Sequence, residues 1–177
     1  MDVKRLNYYA DKIPELPYFL VALLFVLADA KVEYIHVFST AFIFLSLALA
    51  IGVCLKLLLK TRRPKPYKSR YEIFRYGFPS LHTMISIGAL AFVYYIDPLL
   101  SLVLAPVGVF YIYARISGGF HTRGDVLGGM IVGVVIGAFS GSLIDELFLP
   151  GRVEFLFAFL FFAVPTLTSV ARIKEIV

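Results

Sequence analysis

Apolar runs of transmembrane length dominate this chain and leave it few ways to fold. Six segments stand out between clusters of charge and proline: about Ile13 to Ala30, Tyr34 to Lys60, Leu81 to Ile96, Leu99 to Ser117, Val126 to Ile144 and Phe155 to Val170. A helix that crosses the hydrocarbon layer needs roughly 20 mostly apolar residues. The second, fourth and fifth segments meet that length comfortably, and the third and sixth reach it with flanking residues. The first is crowded at its start, where Pro14 and Pro17 flank Glu15. Backbone N–H and C=O groups find no water in lipid, so apolar runs of this length imply helices. The expected fold is all-α, an integral membrane bundle of about six transmembrane helices. One domain is expected over residues 1–177, with the informative core at 56–144.

Composition agrees. Hydrophobic residues make up 60% of the chain, against about 45–50% in soluble domains. The net charge of +5 points to anionic headgroups or anionic substrates. Nucleic acid is a poor fit, because long apolar runs interrupt the basic residues. Cys54 is the only cysteine and sits in an apolar run, which excludes an internal disulfide and reads as inert packing. Met1 to Glu15 carries both signs of charge and no apolar core, so no cleavable signal peptide is expected.

If all six segments span, the termini, Lys56 to Ser80 and Arg115 to Asp125 share one side of the bilayer. Every Lys and Arg except Lys31 and Arg152 then falls on that side. The positive-inside rule places it in the cytoplasm of a multi-pass cell-membrane protein. Gly129, Gly133, Gly137 and Gly141 recur every fourth residue in the fifth segment, with Asp125 one step earlier. Such a ladder lines one helix face and lets another helix approach closely. Its partner is either a helix of the same chain or, in a homo-oligomer, a second copy.

Three clusters fall on the shared side. Lys56 and Arg63 are seven residues apart and would share a helix face, with Pro64 following. An ionisable lysine at the membrane end of a helix is costly and points to function, although a snorkelling lysine and a stop-transfer arginine would look the same. Pro79, Ser80 and His82 open the third segment. Ser80 reads as an N-cap, and the amides at a helix start bind anions. In the third cluster, His121 and Asp125 stand i, i+4, and Arg115 precedes them. On a helix beginning early enough, the carboxylate would fix the imidazole tautomer and raise the basicity of the other nitrogen. Arg115 offers a planar fork to phosphate oxygens. An interfacial salt-bridge group is the plainer alternative. Together the clusters supply the charge neutralisation, nucleophile and leaving-group acid that phosphoryl transfer requires.

Lys56-x6-Arg63-Pro64, Pro79-Ser80-Leu81-His82 and Arg115-x5-His121-x3-Asp125 resemble, in order and spacing, the three-part signature of the type 2 phosphatidic acid phosphatase superfamily. The resemblance covers about Lys56 to Ile144. It implies a helical-bundle lipid phosphate phosphatase that needs no metal or other cofactor. By this resemblance His121 attacks phosphorus and forms a phosphohistidine, Asp125 orients it, and His82 protonates the leaving oxygen. Lys56, Arg63, Ser80, Arg115 and the Leu81 amide hold the phosphate. Leu81 stands where the family usually has glycine, and Ala114 where it usually has serine. The leucine side chain would narrow the pocket or shape the lipid entrance; Ala114 removes a hydroxyl.

The expected substrates are phosphatidic acid, a glycerophosphate-headgroup lipid, or a polyprenyl phosphate or diphosphate. A cytoplasmic site favours lipid biosynthesis. An alcohol acceptor in place of water would make a phosphotransferase with the same site, and a relic pocket would leave a non-catalytic lipid-binding protein. Hydrophobicity argues against the related soluble haloperoxidases. The loop from Lys65 to Phe78 mixes cations with aromatics and reads as an interfacial belt or a lid. His36 has no assigned role.

Overall fold

A computed structural model of the chain describes residues 34–65, 72–144, 146 and 149–174. Among these, five α-helices follow one another: α1 (Tyr34–Leu59), α2 (Leu81–Ile96), α3 (Pro98–Ser117), α4 (Arg123–Ser142) and α5 (Gly151–Lys174). A 3-10 turn, Glu72–Arg75, lies between α1 and α2. The only β pairing among the described residues is an isolated antiparallel bridge between Arg62 and Tyr76. The fold is therefore all-helical with five described helices. The first apolar segment, Ile13 to Ala30, lies outside the described residues.

Among the described residues, three helices are long and apolar enough to cross a membrane: Ile35–Leu59, Pro98–Ser117 and Arg123–Ser142. Helix α2 has 16 residues, about 24 Å at 1.5 Å per residue, which falls short of the roughly 30 Å hydrocarbon layer. It need not match the bilayer by itself, because α1, α3 and α4 all pack against it.

Local chemistry sets the helix boundaries. Asp97 caps α3 by accepting from the Leu99 and Leu100 amides at 2.8 and 3.1 Å. Pro98 occupies the first helical position, where a missing N–H costs nothing. Thr122 and Asp125 form a capping box at the start of α4. Helix α1 ends where Lys60 takes a left-handed conformation, φ 45°, a conformation that commonly closes helices.

The core is aromatic and glycine-rich by turns. Phe38 stacks on Phe161 at 5.7 Å and meets Phe162 edge-on at 4.8 Å, which joins α1 to α5. Phe44 stacks on Phe92 at 5.9 Å, which joins α1 to α2. Between α2 and α4 the contact is backbone to backbone. A Cβ at Gly133 would collide with the Met84 carbonyl, one at Gly137 with the Gly88 carbonyl, and one at Gly129 would stand 2.7 Å from the Ser80 carbonyl oxygen. Gly141 lies under the Tyr95 ring. The partner of the glycine ladder is thus α2 of the same chain. A second copy on that face, the homo-oligomer expectation, would meet a face already filled.

His36, near the start of α1, pairs with Glu154 of α5 at 2.7 Å and also contacts the Ile144 carbonyl. It ties three parts of the chain at the end of the bundle away from the three spacing motifs. Cys54 is exposed rather than packed.

Gly137→Val should force α2 and α4 apart, at a cost of about 1–3 kcal/mol for overpacking. Thermal unfolding in detergent should show a clear drop in midpoint. Gly151→Ala, where an added Cβ meets nothing within 4 Å, should change it little.

Candidate active site

Four helix ends meet at one end of the bundle: the end of α1, the start of α2, the end of α3 and the start of α4. Lys56 and Arg115 are the two largest fully buried side chains among the described residues, each 1% exposed. Cations in such a place need oxygen partners. Lys56 Nζ donates to the Tyr76 and Gly77 carbonyls at 2.9 and 3.1 Å. Arg63 Nε donates to the same Tyr76 carbonyl at 3.1 Å, and Arg63 Nη1 to the Phe120 carbonyl at 3.3 Å.

Arg63 does not share a helix face with Lys56. Helix α1 closes at Leu59, and the chain turns through Lys60 before Arg63 approaches from the connecting segment. The two cations converge because both bind the carbonyl of Tyr76. That carbonyl is held in place by residues the spacing motifs do not contain. Gly77 N donates to the Thr61 carbonyl at 2.9 Å, and Phe78 N to Thr61 Oγ1 at 2.6 Å. The Phe78–Pro79 peptide is cis and leads into α2.

Ser80 sits at the N-cap position of α2 but makes no side-chain cap bond. Its hydroxyl is fully buried and lies 3.0 Å from Thr83 Oγ1. Its amide donates to the Asp125 carbonyl at 3.0 Å, which joins α2 directly to α4. Leu81 packs toward α1. Its side chain fills the space above Gly52 on α1, where an added Cβ would collide with Leu81 Cδ2. Ala114 is fully buried. His82 is partly buried, and its ring stacks with Tyr111 at 6.3 Å between centroids and 16° between planes.

His121 and Asp125 are both buried, and His121 Nδ1 lies 3.7 Å from Asp125 Oδ2. The pairing does not come from one helical turn, since α4 starts at Arg123 and His121 precedes its Thr122 cap. The cap itself aims the carboxylate. Thr122 N donates to Asp125 Oδ2 at 2.8 Å, and Asp125 N to Thr122 Oγ1 at 3.1 Å. Gly77 lies against the carboxylate, where a Cβ would stand 2.8 Å from Oδ2. Gly119, at φ 69°, supplies the left-handed turn before His121. Over that turn Lys65 Nζ donates to the Gly118 carbonyl at 3.2 Å, and the Arg115 guanidinium lies 5.1 Å from the Phe120 ring centre.

Burial holds the His121 imidazole far below its ordinary value of 6.5, to about 2, with Arg63, Lys56 and Arg115 adding to the shift and a backbone hydrogen bond at Gly77 opposing it. The imidazole is therefore neutral near pH 7, the form a nucleophile needs. Lys56, Arg63 and Arg115 surround it, with the Asp125 carboxyl group beside them. A basic centre of this kind suits an anion such as a phosphate monoester.

The spacing motifs picked out Lys56, Arg63, Ser80, Leu81, His82, Arg115, His121 and Asp125. The structure gathers these residues at one end of the bundle. Thr61, Tyr76, Gly77, Thr83, Tyr111 and Thr122 were not foreseen. Only Thr122 left a local sign, a threonine three residues before a carboxylate at a helix start. Of the loop expected to be a belt or lid, Tyr67, Lys68, Arg70 and Tyr71 lie outside the described residues. No group of three His, Cys, Asp or Glu side chains able to hold a metal ion occurs among the described residues.

A model of the PAP2 superfamily matches residues 37–149 of the chain. No curated protein and no solved structure matches it.

Because its imidazole is depressed in the folded state, His121 binds a proton on unfolding between pH 6.5 and about 2. Stability should therefore fall as pH falls through that window. Unfolding midpoints in detergent, measured from pH 7 to pH 4, should decline less steeply for His121→Gln than for the unsubstituted protein.

Proposed function

The chain belongs to the PAP2 superfamily, the type 2 phosphatidic acid phosphatases, and we propose that it is a phosphatase acting on a membrane lipid phosphate through a phosphohistidine on His121. The observation that carries this reading is a neutral, buried His121 ringed by Lys56, Arg63 and Arg115 at one end of an apolar bundle. The charge excess suits a phosphoryl group, and the lipid-facing helices suit a substrate with a hydrocarbon tail.

In this mechanism Lys56, Arg63, Arg115 and Ser80 take the phosphate oxygens, with the Leu81 amide assisting. Phosphate oxygens replace the Tyr76, Gly77 and Phe120 carbonyls as acceptors for Lys56 and Arg63. Asp125 accepts from the Nδ1 proton of His121 once the 3.7 Å gap closes into hydrogen-bond range. The Nε2 lone pair then attacks phosphorus. The bond from phosphorus to the lipid oxygen breaks, and His82 gives its proton to that oxygen. Water next attacks the phosphohistidine while His82, now the base, accepts its proton. The P–N bond breaks, releasing inorganic phosphate and restoring His121. Every charge in this cycle is supplied by side chains, so no step calls for a metal ion.

The reading places the site at the cytoplasmic face, supported by the crowding of Lys and Arg on that side. Phosphatidic acid, a glycerophosphate-headgroup lipid and polyprenyl phosphates all present the required phosphomonoester or diphosphate on an apolar tail.

Purified protein in detergent should release phosphate from a short-chain phosphatidic acid with a chelator present. Absence of release, or its loss on adding the chelator, would overturn the reading. His121→Ala should abolish turnover, and His82→Ala should slow it about 10²–10⁴-fold, the usual worth of a general acid. Full activity in either variant would remove the role given to that residue.

A further inference from the structure

We propose that Tyr111 is a positioning residue for the reaction, its ring setting the plane in which His82 delivers a proton to the leaving lipid oxygen. The inference rests on the phosphatase reading and on His82 as its acid. The two rings are stacked, 6.3 Å between centroids and 16° from parallel, inside the distance range where aromatic rings attract one another. His82 lies in the first turn of α2 and is only partly buried. Rotation of the imidazole about its last side-chain bond is a broad torsion for histidine, so a ring packed parallel to it bears directly on its plane. Tyr111 is itself firmly held. It is 4% exposed, and Phe110 meets its ring edge-on, 5.6 Å away at 74°.

The chemistry makes ring plane matter. An imidazole N–H points along the plane of its ring, so a parallel neighbour that fixes the plane also fixes the line of proton transfer. Tyr111 and Arg115 stand four residues apart on α3 and share a face. One face of α3 thus sets both the orientation of the acid and the place of a phosphate-holding cation. The proton donor and the phosphoryl group are aligned by the same helix. The ring, not the phenol, carries the effect, because stacking uses the ring face.

The test compares two substrates that differ in their need for an acid. The alkoxide leaving from dioctanoyl phosphatidic acid requires protonation; the nitrophenolate leaving from p-nitrophenyl phosphate does not. With purified protein in detergent, Tyr111→Leu should lower kcat on the lipid about 10- to 100-fold, a fraction of the full worth of a general acid. KM should be unchanged, and the first turnover of p-nitrophenyl phosphate, read as nitrophenolate release before the phosphohistidine is hydrolysed, should keep its rate. Tyr111→Phe should match the unsubstituted protein on both substrates. Tyr111→Met keeps bulk without a ring and should repeat the leucine result, which guards against a folding defect in either variant. In a His82→Ala background, Tyr111→Leu should cost nothing further on the lipid, because the ring acts only through His82. Equal loss on both substrates, no loss on either, or a Tyr111→Phe variant as impaired as Tyr111→Leu would each overturn the proposal. Failure of the phosphatase reading would look different: the unsubstituted protein would release phosphate from neither substrate, or His82→Ala would leave lipid turnover intact.

Discussion

Cations inside an apolar bundle must find oxygen, and in this protein two backbone carbonyls meet most of that need. Tyr76 accepts from both Lys56 and Arg63, and Gly77 accepts from Lys56 as well. Hydrogen bonds from charged donors are worth roughly twice neutral ones, so the segment before α2 is fastened to the end of α1. Thr61 completes the fastening through Gly77 and Phe78. The start of α2 inherits its place from these bonds, and so do Ser80 and His82. Gly77 then serves a second purpose, because its bare α-carbon admits the Asp125 carboxylate. A set of contacts that satisfies buried charge thereby also brings the three clusters to one point.

The glycine contact between α2 and α4 supports this from below. Side chains at Gly133 or Gly137 would separate the two helices. They would also break the bond from the Ser80 amide to the Asp125 carbonyl, which holds the two helix starts in register. The central helix is short for a bilayer, yet it is enclosed by α1, α3 and α4. Its environment is protein more than lipid, which frees its polar start from the usual length requirement of a lone span.

Much of this architecture was legible in the chain itself. Hydrophobic runs located five helices to within a few residues, because apolar length is a direct record of burial in lipid or protein. Boundaries moved where polar residues belong to a helix: α4 starts at Arg123 and α5 at Gly151, ahead of their apolar runs. Pro106 lies inside α3 without ending it, as membrane helices tolerate. The gathering of Lys56 with Arg63 was legible as a spacing but not as a geometry. A seven-residue interval implies a shared helix face only if the helix continues, and the left-handed Lys60 stops it. The pairing of His121 with Asp125 was likewise visible, whereas its cause, the capping box of Thr122, depends on where α4 begins. Tyr76, Gly77 and Phe120 could not be foreseen at all. They act through backbone oxygens, which every residue possesses, and only the fold decides which ones face a cation.

The departure at Leu81 shows how one position can be read only with another. Gly52 offers a socket on α1, one turn before Lys56, and the leucine side chain is the ball that fills it. Volume at these two sites is a shared quantity, since bulk at one demands bareness at the other. A lineage drifting at either position alone would crowd the joint or leave it hollow. Paired change would preserve the distance from Lys56 to the head of α2, so the two sites are bound to vary as a couple.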